Sequence, residues 1–217
     1  MSGSARELLD SVRQELAPAE GDNTLAPLLA AGQAPREVFG TIAAEELRIV
    51  RSDWRSFLTL AARAEEPHAR EYFSALAQGE QLALARLDAL AEAAGLSAED
   101  LTNYQPRPGC QAYPSYLAWL AINGEAADVV VAITANFAAW GSYCATIARA
   151  MREHYGFADE ACGFFDLFAS PAPELEELAV AAVQAGIDSG RLTERIAREY
   201  GRLFQAYELM FWNTLAD

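Results

Sequence analysis

The amino-acid sequence predicts an all-α fold, and three observations support that prediction. Apolar residues recur at helical spacings of three and four through most of the chain, and the alternation typical of β-strands is almost absent. Alanine-rich segments are separated by short stretches that contain Pro or Gly. With 217 residues, of which 52% are hydrophobic, the chain can bury a substantial core. We therefore predict a single compact multi-helix bundle over residues 1–217.

The first half of the chain contains four predicted helices. The first two end before stretches that contain Pro or Gly. Proline fits the first helical turn, so the third helix is predicted to begin near Pro35; a break at Pro67 separates it from the fourth, which Gly95 ends. The predicted ranges are 5–16, 24–31, 35–64 and 68–94. The SAED sequence that follows predicts a brief turn.

The second half begins with the clearest loop, NYQPRPG at residues 103–109, and continues with further helices. The most regular apolar pattern follows it, with Ile133, Phe137, Trp140 and Cys144 at spacings of four and three. This pattern predicts a helix that lies deep between its neighbours. The predicted ranges are 113–122, 126–154, a short piece within 156–170, 174–189 and 191–215. Eight or nine helices and no sheet are expected.

Charge and cysteine content narrow the classes of function. The chain has 16 Lys plus Arg and 31 Asp plus Glu, a formal net charge of -15, which repels nucleic acid and anionic lipid. We therefore expect neither nucleic acid nor a membrane as a partner. The N-terminal sequence lacks the apolar core of a signal peptide, and we expect no uncharged apolar stretch long enough to span a membrane. Three cysteines without CxxC spacing indicate a reducing, cytoplasmic setting.

Common metal and nucleotide motifs are missing from the sequence. The chain has only two histidines, His68 and His154; HExxH does not occur, and the two histidines are not paired at helical spacing. A di-iron site of the two-histidine kind is therefore nearly excluded. The phosphate-binding GxxxxGK[ST] and the hydrolase GxSxG are also missing. We expect no metal and no cofactor.

Polar side chains interrupt three apolar helix faces. Glu46, Asn136 and Glu208 each lie among apolar residues at helical spacing, and Asp53 lies two turns beyond Glu46 on the same side. Because an unpaired carboxylate is costly to bury, three such groups on different helices predict a shared polar pocket inside the bundle. For each acid, an ion pair or a helix cap is the alternative, and for Asn136 an ordinary interhelical hydrogen bond.

Four segments in order resemble the TenA (thiaminase II) family. They are APREVFGTIAAEELRIV (34–50), AYPSYLAWLA (112–121), GFFDLFAS (163–170) and YELMFWN (207–213). The likeness covers nearly the whole chain. It implies the heme-oxygenase-like helical fold, hydrolysis of a C–N bond in an aminopyrimidine related to thiamin salvage, and a homo-oligomer, either a dimer or a tetramer.

The resemblance also implies roles for particular residues. Glu208 corresponds to the family's terminal glutamate, which acts as acid or base at the aminopyrimidine. Glu46 corresponds to the aspartate that holds the amino edge of the ring. Tyr113 and Trp140 correspond to aromatic positions of the pocket, and Phe211 is expected to contact the substrate beside them.

One departure from the family pattern bears on mechanism. By spacing, Asn136 falls where the family has its nucleophilic cysteine, and an amide cannot add to the ring as a thiolate does. Cys144 lies two turns further along the same helix, about 12 Å along its axis. Asn136 is expected instead to orient a water or a ring nitrogen. Three functions stay open: a non-covalent hydrolase that uses Glu208, a non-catalytic small-molecule binding protein, and a heme-oxygenase-like oxidase.

Overall fold

A computed structural model describes residues 4–217 and shows ten α-helices in that range. The first five are α1 (Ala5–Leu16), α2 (Leu25–Ala30), α3 (Val38–Arg63), α4 (Pro67–Ala93) and α5 (Ala98–Asn103). The other five are α6 (Pro108–Asn123), α7 (Ala126–His154), α8 (Asp159–Ala169), α9 (Pro173–Asp188) and α10 (Glu194–Ala216). No strand occurs between residues 4 and 217. The predicted all-α bundle is confirmed.

Some helix boundaries differ from the prediction for physical reasons. The helix α6 begins at Pro108 rather than Tyr113, because proline at the first turn has no N–H to leave unpaired. The helix α3 begins at Val38 rather than Pro35. The Val38 N–H donates a hydrogen bond to the Pro35 carbonyl, and this i to i+3 bond closes a tight 3₁₀-type turn before the α-helix starts. The SAED segment forms the short helix α5, which Ser97 begins with a capping box. This extra helix raises the count above the expected eight or nine.

The core consists of two clusters of buried side chains at opposite ends of the long helices. The first cluster includes Phe57, Tyr72 and Phe204 and joins α1 and α9 to the long helices. The second includes Phe39 and Trp212 and joins α2 and α8 to them. Tyr113 packs against both clusters. The long helices α3, α4, α7 and α10 contribute to both, so the region between the clusters is walled by several helices.

The helix α7 lies at the centre of the bundle and corrects one expectation. It has 29 residues and is, within the described range, the one helix long and apolar enough to cross a membrane by length and composition. No such segment was expected, yet residues 129–148 carry no charged side chain. Half of its most apolar stretch is buried, and α7 contacts α1, α2, α8, α9 and α10. A helix in the core of a protein can meet the same criterion of length and composition. The contacts of α7 with helices on several sides identify it as such a core helix.

Candidate active site

A pocket between the two core clusters brings together polar side chains from five helices. The space between its walls, counted together with the opening to solvent, is about 490 Å³. Its ionisable and amide lining residues are Glu46 and Asp53 on α3, Glu80 on α4, Tyr113 on α6, Asn136 on α7 and Glu208 on α10. The pocket therefore concentrates four carboxyl groups among apolar walls.

Glu208 is held in place by two hydrogen-bond donors. The indole Nε1 of Trp212, one turn further along α10, donates to Glu208 Oε1 at 3.1 Å. The side-chain amide of Asn136 donates to Glu208 Oε2 from α7. Burial raises the pKa of Glu208 to about 7, although both hydrogen bonds favour the charged form and oppose the rise. A carboxyl group with such a pKa can both give and take a proton near neutral pH.

Asn136 positions Glu208. Its amide nitrogen also lies 3.3 Å from Gln205 Oε1, so both of its contacts reach α10. Both hydrogen bonds of the Asn136 Nδ2 go to α10, and the expectation that Asn136 orients a water or a ring nitrogen stays a prediction. The structure thus gives Asn136 a positioning role in which α7 fixes the carboxyl group of α10.

The other three carboxyl groups of the pocket have no such support. Glu46, Asp53 and Glu80 are only 3%, 4% and 8% exposed. No group in residues 4–217 donates a hydrogen bond to any of them. Burial is the largest cause that raises the pKa of each, and it raises that of Glu80 to about 8. These groups therefore favour the neutral form or a positively charged partner.

Aromatic rings form the walls around these groups. The ring of Trp140 meets Phe168 edge-on at a centroid distance of 5.7 Å and Phe211 at 6.5 Å. On the other side, Tyr113 packs edge-on against Phe204 at 4.7 Å. Burial raises the pKa of Tyr113, so its hydroxyl keeps its proton and can donate a hydrogen bond. Such walls suit a flat, apolar ligand ring.

All six residues proposed from the sequence line this one pocket. They are Glu46, Tyr113, Asn136, Trp140, Glu208 and Phe211. Their assignment to catalysis or substrate binding stays a prediction.

The sequence argument missed Glu80. Its neighbours Leu76, Ala77, Ala83 and Leu87 are all buried, so Glu80 lies within an apolar face of α4 at helical spacing. The periodicity that identified Glu46 on α3 was therefore present on α4 as well.

The pocket lining contains no cysteine. Cys110, Cys144 and Cys162 are fully buried elsewhere, and burial raises the pKa of each thiol. Within residues 4–217, no group of three or more His, Cys, Asp or Glu side chains is arranged to hold a metal ion. The carboxyl groups of the lining can transfer protons.

Solved structures show the same fold. A TenA homologue from Pyrococcus horikoshii OT3 is 18% identical, with 97% of this chain and 95% of that chain covered and a TM-score of 0.69. A TenA family transcription regulator from Silicibacter sp. TM1040 is also 18% identical, with coverage of 98% and 96% and a TM-score of 0.71. A domain of unknown function with a heme oxygenase-like fold, from Shewanella denitrificans OS217, is 12% identical, with coverage of 94% and 91% and a TM-score of 0.56.

Sequence comparison identifies the family. No curated protein matches the chain significantly. Residues 24–217 match the sequence profile of the TENA/THI-4/PQQC family, and this range includes every residue that lines the pocket. The chain therefore belongs to the TENA/THI-4/PQQC family and has its heme oxygenase-like helical fold.

Proposed function

We propose that the protein hydrolyses the C–N bond between an amine and the exocyclic carbon of an aminopyrimidine, with Glu208 as the acid. The observation that carries this proposal is the position of Glu208, which Trp212 and Asn136 hold in an aromatic pocket with a pKa of about 7. An amine leaves readily only after it gains a proton, and a carboxyl group with this pKa can supply that proton near neutral pH.

The proposed reaction balances without a covalent intermediate on the protein. Glu208 gives its proton to the leaving nitrogen as the C–N bond breaks. The oxygen of a water molecule forms the new bond to carbon, and the proton that the water loses returns to Glu208. A non-covalent route fits the absence of a thiol from the pocket lining, where Asn136 lies instead.

Glu46, Tyr113, Trp140 and Phe211 hold the substrate in this proposal. Glu46 lacks a hydrogen-bond donor from the described residues, so the amino group of a pyrimidine ring would supply one. The aromatic side chains contact the faces and edges of the ring. Glu46 is thus a binding residue at the reacting molecule, and Glu208 performs the proton transfer.

The test is product release by matched variants. Wild type incubated with aminomethyl-pyrimidine should release ammonia, and Glu208→Gln should lower kcat by a factor of about 100 or more. Formate from formylaminomethyl-pyrimidine would instead report cleavage of the formamide C–N bond. The rate should also fall as pH rises through about 7, since only the protonated form of Glu208 donates. Glu71→Gln, at an exposed position of α4, is the control and should keep wild-type activity. Equal turnover by wild type and Glu208→Gln would remove this mechanism.

A non-catalytic binding protein is the second candidate. The three unsupported carboxyl groups favour it, because they suit recognition of a nitrogen-rich ring whether or not turnover occurs. A thermal shift on addition of hydroxymethyl-pyrimidine, together with no product from either substrate, would favour binding alone.

Two further functions find less support. The described residues offer no ligand set for a metal-assisted oxidase. The Silicibacter relative is described as a transcription regulator, but a net charge of -15 makes this chain a poor partner for DNA.

A further inference from the structure

The pocket has a second polar end that the proposed reaction does not use. Asp53 and Glu80 line it from α3 and α4, and Asp53 is only 4% exposed. The Oδ1 atom of Asp53 is buried and has no hydrogen-bond partner among the described residues. A buried oxygen without a donor is costly, so its place in a ligand pocket indicates that a ligand supplies the missing donor.

Helix geometry separates this end from Glu46, because Asp53 lies seven residues further along α3, about 10 Å along the helix axis. Burial raises the pKa of Glu46, and the charges of Glu80, Glu45 and Glu208 raise it further. Burial likewise raises the pKa of Asp53, and the charges of Glu80 and Glu46 add to it. We take Glu46 as the group between Glu208 and the pair of Asp53 and Glu80. A flat ring that contacts Glu46 has one edge toward each end.

We propose that Asp53 and Glu80 bind a second N–H-bearing edge of the ligand, so that the substrate ring carries amino groups at two positions. This inference rests on the proposed function, since it takes a pyrimidine-like ring as the occupant of the pocket. A ring with a methyl group on that edge would offer no N–H to either carboxyl group. A 2-amino group beside a ring nitrogen instead forms two parallel hydrogen bonds with a carboxyl group.

The protein itself offers these two acids no counter-charge. None of the ion pairs formed within residues 4–217 involves Asp53, Glu80 or Glu46. Ile49 and Val50, which lie between Glu46 and Asp53 in the sequence of α3 and also line the pocket, are aliphatic. An amidine-like edge, which gains positive charge readily, therefore fits this end better than a neutral or anionic group.

The experiment compares two pyrimidines that differ at one carbon. Both carry a 4-amino and a 5-hydroxymethyl group, and one carries a 2-amino group where the other has a 2-methyl group. Neither contains a leaving amine, so calorimetry measures binding without turnover. Wild type should bind the 2-amino compound at least about tenfold more tightly. In Asp53→Asn and Glu80→Gln, this ratio of dissociation constants should fall toward one.

The matched control is Glu208→Gln, at the opposite end of the pocket. It should weaken the binding of both compounds to a similar extent and so keep the ratio of their dissociation constants. Because this ratio is compared between variants, the different basicity of the two rings cancels. A wild-type ratio of one or below, a ratio unchanged in both Asp53→Asn and Glu80→Gln, or no binding of either compound would overturn the inference. If the protein binds the 2-amino compound selectively but releases no ammonia from aminomethyl-pyrimidine, the proposed reaction is wrong and this inference still holds.

Discussion

Two adjacent residues of α3, Glu45 and Glu46, show two different uses of a buried carboxylate. Glu45 is completely buried and Glu46 is 3% exposed, so burial alone does not separate them. Glu45 Oε1 accepts hydrogen bonds at 2.7 Å from both the Tyr104 hydroxyl and the Arg107 backbone N–H. Its Oε2 accepts one at 2.6 Å from the Gln111 side chain. Glu46 accepts none from the described residues.

The difference lies in the helices that each side chain faces. Glu45 points to the segment that joins α5 to α6 and to the first turn of α6, and its three donors fasten both to α3. Glu46 points to the ligand pocket, where no donor is provided. A fully bonded carboxylate stabilises the fold, whereas an unbonded one is kept at a cost in stability and indicates a binding role. Paired substitutions test this difference directly.

The largest difference is expected between Glu45→Ala and Glu46→Ala. Glu45→Ala leaves three donors without an acceptor and should lower the free energy of unfolding by about 3 kcal/mol. Glu46→Ala removes a group that is already unpaired and should lower it by about 1 kcal/mol or less. Urea unfolding at pH 7 measures both values. A loss in Glu46→Ala equal to that in Glu45→Ala would show that Glu46 also serves the fold.

A smaller effect is expected in the pH dependence of stability. The pKa of Glu80 is about 8 in the folded protein and is ordinarily 4.5, so the folded state retains a proton that the unfolded chain has lost. The free energy of unfolding should therefore fall as pH rises from about 4.5 to about 8. In Glu80→Gln, the fall between pH 6 and pH 8 should be about 2 kcal/mol smaller than in wild type. Urea unfolding at both pH values measures it.

The control for this prediction lies on the same helix. Glu71→Gln removes an exposed acid of α4 and should leave the wild-type fall unchanged. An equal fall in wild type and Glu80→Gln would mean that Glu80 titrates as it would in water.

The smallest expected effect is the difference in unfolding free energy between Tyr104→Phe and Tyr113→Phe. Tyr104 donates to Glu45, so Tyr104→Phe should cost about 1 kcal/mol of unfolding free energy. The hydroxyl of Tyr113 has no hydrogen-bond partner within residues 4–217, so Tyr113→Phe should change stability by only about 0.3 kcal/mol. Tyr113→Phe should instead weaken ligand binding. The opposite order in thermal or urea unfolding would contradict the assignment of Tyr113 to the pocket.

The sequence predicts the pocket acids better than it predicts their partners. Glu46 and Glu208 could be found because each interrupts an apolar stripe at helical spacing, which is a local property. Glu80 carried the same signal. That Glu45 is bonded and Glu46 is free could not be found, because the donors to Glu45 lie about 60 residues away in sequence. Such pairing depends on how α3 packs against α6, which periodicity does not specify.

Helix boundaries and contacts between helices likewise differ in how far the local sequence predicts them. The long helices follow from their apolar periodicity. The start of α6 differs from the prediction because Pro106 and Pro108 are both typical of loops in sequence, although the second occupies the first turn of the helix. Asn136 could be identified as a polar residue on a buried face, but its bond to Glu208 depends on the register between α7 and α10.

Alkylation of the three buried thiols can report local opening of this protein. A thiol reacts with an alkylating reagent as the thiolate, and Cys110, Cys144 and Cys162 are both enclosed and shifted toward the neutral form. Alkylation therefore requires transient opening of the helices around each one. Because the three cysteines lie on α6, α7 and α8, the relative rates of their labelling would rank those helices by how often each departs from the packed state.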